Sequence, residues 1–295
     1  MTPRRPRKGA PCEQEHGGFT EFLHSLLAGI PWSDRAEVKE IVHFAAPRSG
    51  LLRLDNANGK TRVIGEDRDD VEVCLQKIAR AESETAARAL AEATRLTANE
   101  TDTSLDLEIA IPRKWNRRGV VNMELHVPRG TRIDITASNG KVCISSLCAS
   151  VKAHSSNGAV SVENVEGDVE IQSSNAKVRC ACVRGRIVAR TSNGKIEVSQ
   201  HRGSLDAATS NGVIDAEIRE VSGPVVLATS NGRIALALPE DVDADVDVRV
   251  DNGIIRSQRS LSRCTHSTGG RLAGALGLGG VPIKLRTSNG SVSVR

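Results

Sequence analysis

Aromatic residues are almost missing from this chain of 295 residues. It has three Phe, two Trp and no Tyr, and none of them lies after Trp115. Stacking of bases on aromatic rings is a common way of holding single-stranded nucleic acid, and sugar-binding surfaces commonly use aromatic platforms as well. The long segment after Trp115 therefore gives no support to a nucleic-acid site or to a lectin-like site.

An excess of one charge and long apolar runs are also missing. The chain has 40 basic and 36 acidic residues, and a net charge of +4 is too small to indicate a nucleic-acid partner. Residues 1–8 are basic, like the start of a signal peptide, but no apolar run follows them. No stretch approaches the roughly 20 apolar residues of a membrane span. The sequence therefore predicts a cytoplasmic protein, with export by an unrecognised route as the alternative.

Closely spaced cysteine pairs are the third absence. There are seven Cys, and none of them forms a C-x-x-C pair. Scattered thiols of odd number favour a reducing compartment over a secreted one. Cys12 and His16 are separated by three residues, which is half of a zinc site, but no second pair lies near them. We therefore predict neither a metal nor a cofactor.

What the sequence has in abundance is the tripeptide Ser-Asn-Gly and its close variants. The first five copies are 18 residues apart, and the spacing then increases to 20, 21 and 37 residues. A fixed period over this many copies indicates a repeat architecture. The residues predicted to form a ladder of structural turns are Asn139, Gly140, Asn157, Gly158, Asn175, Asn193, Gly194, Asn211, Gly212, Asn231 and Gly232. Asn252 and Asn289 continue the series.

Each repeat contains two short runs in which apolar and polar residues alternate, the periodicity of a strand. The Asn-Gly pair separates the two runs, and a second turn contains Gly167, Gly185 or Gly203. An antiparallel meander of hairpins is one interpretation. A coil that stacks on itself, with parallel strands and a ladder of Asn amides, is the other. The constant period favours the coil, so we predict a mainly-β parallel solenoid of about 18 residues per coil.

The order of these motifs resembles that of a known family. A strand, then Val127-Pro128-Arg129-Gly130-Thr131, then another strand and the iterated Ser-Asn-Gly-x-Val/Ile-x-Val are similar to the bacterial “putative adhesin” family of unknown function, also called toast-rack domains. The resemblance covers about residues 54–295. It implies a β-helical repeat domain without known catalytic residues, and relatives near envelope-stress signalling proteins. The family label adds the alternative of an exported surface adhesin.

Four segments of different composition follow along the chain. We predict a disordered basic tail at 1–18, an amphipathic helical segment at 19–40, atypical first β units with one helix at about 76–98 within 41–130, and the repeat domain at 131–295. A Gly-rich insertion at 256–280 is predicted to be mobile. Within the helical segment, a second short helix is predicted to begin at Ser33. Asn175-Ala176 breaks the Asn-Gly rule, which predicts a corner that is strained or differently shaped.

The amphipathic segment is the predicted site of partner binding. Its apolar residues share one helical face or follow it directly: Phe19, Phe22, Leu23, Leu26, Leu27, Ile30 and Trp32. Three roles fit this pattern. The segment caps the end of the solenoid, docks into a protein partner, or makes a peripheral contact with the membrane surface. A protein partner is expected, although the sequence does not identify it.

Two patterns were weighed as chemical sites. Asp241, Asp243, Asp245 and Asp247 lie on one face of a predicted strand, which fits either calcium ligands or a solvated acidic face. Lys141, Lys177 and Lys195 align as a basic stripe, and no nucleophile, base and orienting group come together. We therefore predict a non-enzymatic binding or scaffold protein, with a surface adhesin and a polysaccharide-acting β-helix enzyme as alternatives.

Overall fold

The computed structural model describes residues 34–110, 119–267 and 270–295, and almost all regular structure in these ranges is strand. The N-terminal elements are β1 (Asp34–Ala45), β2 (Leu51–Asn58), β3 (Thr61–Glu66), β4 (Asp70–Ala81), α1 (Glu84–Ala93), β5 (Arg95–Glu100), β6 (Leu105–Ala110) and β7 (Gly119–Pro128). They are followed by β8 (Arg132–Asn139), β9 (Val142–Leu147), β10 (Val151–Ser155), β11 (Val160–Glu166), β12 (Val169–Ser173), β13 (Val178–Asn193), β14 (Ile196–Asn211), β15 (Ile214–Ala237), β16 (Ala244–Ser257), β17 (Ser262–Ser267), β18 (Arg271–Leu276) and β19 (Val281–Val294). The predicted mainly-β fold is confirmed.

From β8 to β14 the chain winds as a parallel coil with a register of 18 residues. Val151 lies beside Val169, and Ala189 lies beside Ala207 in the next coil. Strands that precede the Asn corner pair only with one another in this stretch, and so do the strands that follow it. The parallel solenoid is therefore confirmed, and the antiparallel meander is wrong for the repeats.

The core of the solenoid is one continuous apolar cluster shared by both stacks of strands. Alternate residues such as Ile187, Leu205 and Leu227 are completely buried, as the period of two requires. Cys180 is also buried, as its alignment with Val predicts. Close to the corner the inward residues become small and polar, and the Thr209 hydroxyl donates to the carbonyl of Gly194 at 3.4 Å.

The Asn corners stack directly on one another. Each Asn side chain donates its amide to the Asn oxygen of a neighbouring coil over 2.9–3.2 Å, through the residues Asn139, Asn157, Asn175, Asn193, Asn211, Asn231, Asn289 and Asn252. The glycine that follows is required by close approach, because a Cβ added at Gly158 would lie 1.7 Å from the carbonyl oxygen of Gly140. Ala176 does not have a positive φ, so its corner is differently shaped and avoids backbone strain.

At both ends the stacking order departs from the order of the chain. The last strand, β19, pairs with both β15 and β16 and therefore lies between them. At the N-terminal end, β2 lies between β6 and β8, and β3 lies between β7 and β9. The sequence repeats alone could not predict this interleaving, because both neighbours present the same alternating pattern.

The short helix predicted to begin at Ser33 is wrong in its described part. Residues Asp34–Ala45 form β1, which pairs antiparallel with β4 over twelve consecutive residues. Val38, Val42 and Phe44 alternate with polar residues and turn toward the core side, where they are partly buried. Pairing with β4 therefore overrides the local Ser-Asp capping signal. The remainder of the predicted 19–40 helical segment lies outside the described residues.

The helix predicted at 76–98 is shorter, because strands take both of its ends. Residues up to Ala81 continue β4, in which Ala79 and Ala81 are buried, and residues from Arg95 onward form β5. Helix α1 begins after Ser83, whose hydroxyl accepts a hydrogen bond from the backbone N–H of Ala86 at 3.2 Å. This N-cap fixes the start of the helix at a position that the Ala-rich composition did not mark.

The insertion at 256–280, predicted to be mobile, contains two strands in its described part. Strand β18 pairs antiparallel with β16, and β17 pairs antiparallel with β18. Leu272 and Leu276 are buried, so the hairpin covers the C-terminal end of one stack. Its glycines obscured this alternation in the sequence.

Candidate functional site

Strand β1 forms the N-terminal edge of the stack that follows the Asn corners. Within the described ranges it pairs with β4 alone, and its register with β4 shows no bulge. It also contains no proline. An unblunted edge of this kind presents main-chain N–H and C=O groups to an incoming strand. Ile41, on the outer face of β1, is 64% exposed.

The inner face of β1 is filled by the chain itself. Helix α1 packs there, with Leu90 and Ala91 against Ala79 and Val38. Beside this contact the Lys77 ammonium lies 2.6 Å from the carboxylate of Glu40, and its side chain is only 7% exposed. Because the inner face is occupied, the open edge and the outer face remain for a partner.

A cavity of about 560 Å³ crosses the outer face beside this edge, and we call it the edge groove. Its lining includes Lys39, Ile41, Lys60, Arg62, Cys74, Gln76, Asn122 and Glu124. The Asn122 amide donates to Gln76 at 2.9 Å, and the Gln76 amide donates to Glu37 at 2.7 Å. Burial, together with the hydrogen bond to Glu72, raises the pKa of the Cys74 thiol. Cys74 is therefore a protonated lining group, not an activated nucleophile.

Each central coil has a second bend, in the strand that follows the Asn corner. Ser146, Asn164, Cys182 and Gln200 adopt positive φ values of 62°, 55°, 54° and 52° at intervals of 18 residues. A left-handed backbone costs a residue with a side chain about 1 kcal/mol. The bend is therefore a backbone feature that recurs without a preferred residue type.

Two contiguous cavities of about 600 and 380 Å³ run along this bend, and we call them together the bend groove. Cys182 and Arg184 line both cavities. The larger one also contains Arg129, Cys148 and Glu166. The smaller one is completed by Gln200, Arg202 and Arg219.

The arginines of the bend groove have weak acidic partners. Arg184 lies directly opposite Arg202 in the next coil. The nearest carboxylate of each pair is 4.0 Å away, from Glu166 for Arg184 and from Glu220 for Arg202. These contacts are at the outer limit of an ion pair, and exposed pairs contribute little even when they are closer.

The predicted lysine stripe behaves differently. Lys177 and Lys195 also lie in neighbouring coils, but the carboxylate of Glu197 bridges them at 2.7 and 2.5 Å. The hydrogen bonds from Lys177 and Lys195 lower the pKa of Glu197. The stripe is thus largely neutralised within the protein, whereas the arginine pair is not.

The predicted partner-binding residues, from Phe19 to Trp32, lie outside the described residues. The four aspartates of the acidic strand are mostly occupied by the protein itself. Asp243 accepts a hydrogen bond from the backbone N–H of Leu278 at 2.7 Å, and Asp245 accepts one from Gly280 at 3.2 Å. Asp247 accepts hydrogen bonds from Arg249 and Arg271. In the ranges that the structure covers, no group of three or more His, Cys, Asp or Glu residues is placed to hold a metal.

His201 is a core residue. It is completely buried, with Nδ1 2.9 Å from the carbonyl of Val183 and Nε2 3.1 Å from that of Ser204. Burial lowers its pKa, against the opposing effect of the two carbonyls. A neutral imidazole can donate from only one nitrogen, so one of these contacts lacks a proton.

The sequence reasoning missed the bend groove. Aligning the repeats at every outward position, and not only at the two after the Asn corner, would have placed Arg184 beside Arg202. The bend itself carries no such signal, because its left-handed residues differ in every coil.

A comparison with protein families decides the membership of the chain. The model of the family described as Toastrack DUF4097 matches residues 52–295. The chain belongs to the Toastrack family. The Toastrack match begins within β2, so β1 and the open edge precede it. A comparison with curated protein sequences finds no match.

Solved structures share the Toastrack fold at low sequence identity. A “putative lipid binding protein” from Parabacteroides distasonis superimposes with a TM-score of 0.52 at 13% identity, covering 87% of this chain and 97% of that one. A “putative adhesin” from Bacteroides fragilis gives a TM-score of 0.49 at 12% identity, covering 87% and 96%. At these identities the likeness concerns the fold. Among the described residues, no helix has the length and apolar character needed to span a bilayer.

Proposed function

We propose that this Toastrack chain is a non-enzymatic binding and scaffold protein that engages a protein partner at its N-terminal end. The observation that carries this proposal is the open twelve-residue edge of β1 beside the edge groove. A partner strand added to such an edge gains main-chain hydrogen bonds. Its alternate side chains reach the outer face, where Ile41 and the groove supply selectivity.

The segment before β1 belongs to the same proposal. Trp32, the last of its predicted binding residues, lies two positions before Asp34, where β1 begins. A partner held by residues 19–32 is thereby brought close to the open edge. We assign this segment to the protein partner, with contact to a membrane surface as the alternative outcome of the tests below.

We place this interaction in the bacterial cytoplasm and in envelope-stress signalling, the setting that the family resemblance implies. The cysteines support a reducing compartment, because all six that the structure describes are free. Cys148, Cys182 and Cys264 are exposed as well. An exported adhesin predicts the opposite compartment, so protease digestion of intact cells separates the two: protection supports the proposal, and cleavage contradicts it.

The direct test uses a photo-crosslinking residue in place of Ile41, in living cells. Ile254, which is 56% exposed at the opposite end of the solenoid, is the matched control position. We expect a discrete adduct from position 41 and none from position 254. The adduct, once identified, is then purified for binding measurements, in which Ile41→Lys should weaken the Kd at least about tenfold and Ile254→Lys should not. Equal adducts from both positions would contradict the proposal.

Deleting residues 19–32 separates docking from capping. If the melting temperature is kept and the adduct at position 41 is lost, the segment docks the partner. A large fall in melting temperature would show that it stabilises the solenoid instead. Binding of the full chain, but not of the deletion variant, to anionic vesicles would favour the membrane contact.

A further inference from the structure

We propose that the smaller cavity of the bend groove is a binding site for an oxyanion group of the phosphate or sulfate type. Three arginines line it, Arg184, Arg202 and Arg219, together with Cys182 and Gln200. No carboxylate is among the lining residues of this cavity. It lies on a central part of the solenoid and is independent of the partner site proposed for β1.

The first argument is the unbridged pair of like charges. Arg184 and Arg202 lie directly opposite each other on neighbouring strands, an arrangement that is destabilising on its own. Where Lys177 and Lys195 face the same problem, Glu197 lies between them and contacts both. No described carboxylate takes that place between the two arginines, since Glu166 and Glu220 lie in the coils on either side. A bound oxyanion would provide the missing bridge.

The second argument is the set of free donors. Arginine presents a planar fork of N–H groups that matches the oxygens of phosphate and sulfate, and two such forks can hold one anion. Arg219 contacts Glu217 at 2.9 Å through one terminal nitrogen, which leaves its other N–H groups available. The Gln200 oxygen accepts from the Cys182 thiol at 3.2 Å, so the amide nitrogen of Gln200 remains a donor. All of these groups recognise negative charge or an acceptor oxygen.

The third argument is that the fold builds the end of this cavity through a local irregularity. The register between β14 and β15 shifts around His201, so that Ile218 lies beside His201 and Glu220 beside Arg202. Arg219, between these two positions, therefore lines the cavity at the point where the regular bend of the preceding coils ends. The third arginine is a consequence of the 20-residue coil from Asn211 to Asn231.

Cys182 gives a built-in reporter for the test. We would measure site-resolved alkylation of the full chain with increasing inorganic phosphate, and then sulfate, at constant low ionic strength. Alkylation of Cys182 should slow in a saturable manner, whereas that of the exposed Cys264 at the C-terminal end should not change. Each change should follow the Kd that calorimetry gives for the same anion.

Variants sharpen the assignment. Arg202→Gln should raise the Kd about tenfold or more, because it removes a charged donor. Arg233→Gln, at an exposed arginine of the same stack outside the cavity, should leave it unchanged. Glu220→Gln removes the competing carboxylate and should lower the Kd. Circular dichroism of each variant confirms that the fold is kept, and Arg219→Gln repeats the test if Arg202→Gln unfolds.

Vesicles distinguish the source of the anion. Arg202-dependent protection of Cys182 by phosphatidylglycerol vesicles, but not by phosphatidylcholine vesicles, identifies a lipid headgroup. Protection by inorganic phosphate alone identifies a soluble ligand, and either result supports the site. The site is overturned if a folded chain shows no saturable protection of Cys182 by any of these probes, or equal protection in Arg202→Gln. Neither failure affects the crosslinking test at Ile41.

Discussion

The two bends of each coil satisfy different physical requirements. At the Asn corner the same residues recur, because each Asn amide bonds to its neighbour and the following glycine approaches the backbone of the next coil. At the second bend the only shared feature is a left-handed backbone, which Ser146, Asn164, Cys182 and Gln200 all adopt.

This difference explains where the solenoid can carry a binding site. A corner fixed by contacts between neighbouring coils cannot change its side chains without loss of stability. A bend that demands only a backbone conformation leaves its side chains free, at a cost of about 1 kcal/mol per coil. The bend groove lies at the permissive bend, where the residue types vary from coil to coil.

The largest expected effect comes from filling the space at the constrained corner. A Cβ at Gly212 would lie 1.9 Å from the carbonyl oxygen of Gly194. We expect Gly212→Ala to lower the free energy of unfolding by about 2–3 kcal/mol, because the stacked backbones must separate. Gly130→Ala is the control, since nothing lies within 4 Å of a Cβ there. Equal melting curves for the two variants would show that close approach does not fix the corner.

A smaller loss is expected from interrupting the amide ladder. Asn193 donates to Asn175 at 2.9 Å and accepts from Asn211 at 3.0 Å. Asn193→Ala removes both bonds, but the groups left behind are exposed to water, so we expect a loss of about 1 kcal/mol in denaturant unfolding. Ser192→Ala, at the neighbouring exposed residue, should cost less. If both variants unfold at the same denaturant concentration, the ladder contributes nothing measurable.

The buried His201 near the second bend predicts a pH dependence. Burial lowers its pKa in the folded protein below the ordinary value of 6.5, so the unfolded chain binds the proton more tightly. Its contribution to stability is therefore complete above pH 6.5 and is lost as the pH falls from there to the folded pKa. His201→Val, which copies Val165 and Val183 at the equivalent position, should reduce the difference in melting temperature between pH 7.5 and pH 5. An unchanged difference would assign the acid sensitivity to other groups.

The smallest effect should come from relaxing the permissive bend. Gln200 has a φ of 52°, a conformation that glycine adopts without a penalty. Gln200→Gly should therefore raise the free energy of unfolding by about 0.5 kcal/mol, after the entropy of the unfolded chain is subtracted. The same change at the Asn corner, Asn193→Gly, should destabilise. A marked loss of stability in Gln200→Gly would show that the Gln side chain, with its contact to Cys182, matters more than the backbone.

The sequence predicts the features that depend on neighbouring residues along the chain. The 18-residue period and the alternation of residues such as Val160 and Val162 are enough to obtain the parallel coil and its core. Elements at the ends escape prediction because distant partners decide them. Strand β1 forms through pairing with β4, and β18 through pairing with β16, against local signals for a helix and for a mobile loop.

The site is less predictable than the fold, for a similar reason. Arg184 and Arg202 share one position of the repeat, so their proximity follows from the period. Arg219 reaches the same cavity only because the register shifts around His201. The edge groove depends on β1 and β4 being neighbours, which no repeat in the sequence records.

The position of β19 also bears on how the protein is made. A ribosome releases β15 and β16 before it has synthesised the strand that lies between them. The C-terminal part of the stack therefore stays incomplete until translation ends, while the central coils can already pair in the order in which they emerge. A nascent chain that stops short of Val281 lacks a layer from within the stack and exposes two long strand edges. Such products should be recognised quickly by chaperones and proteases, which makes the last fourteen-residue strand a checkpoint of complete synthesis.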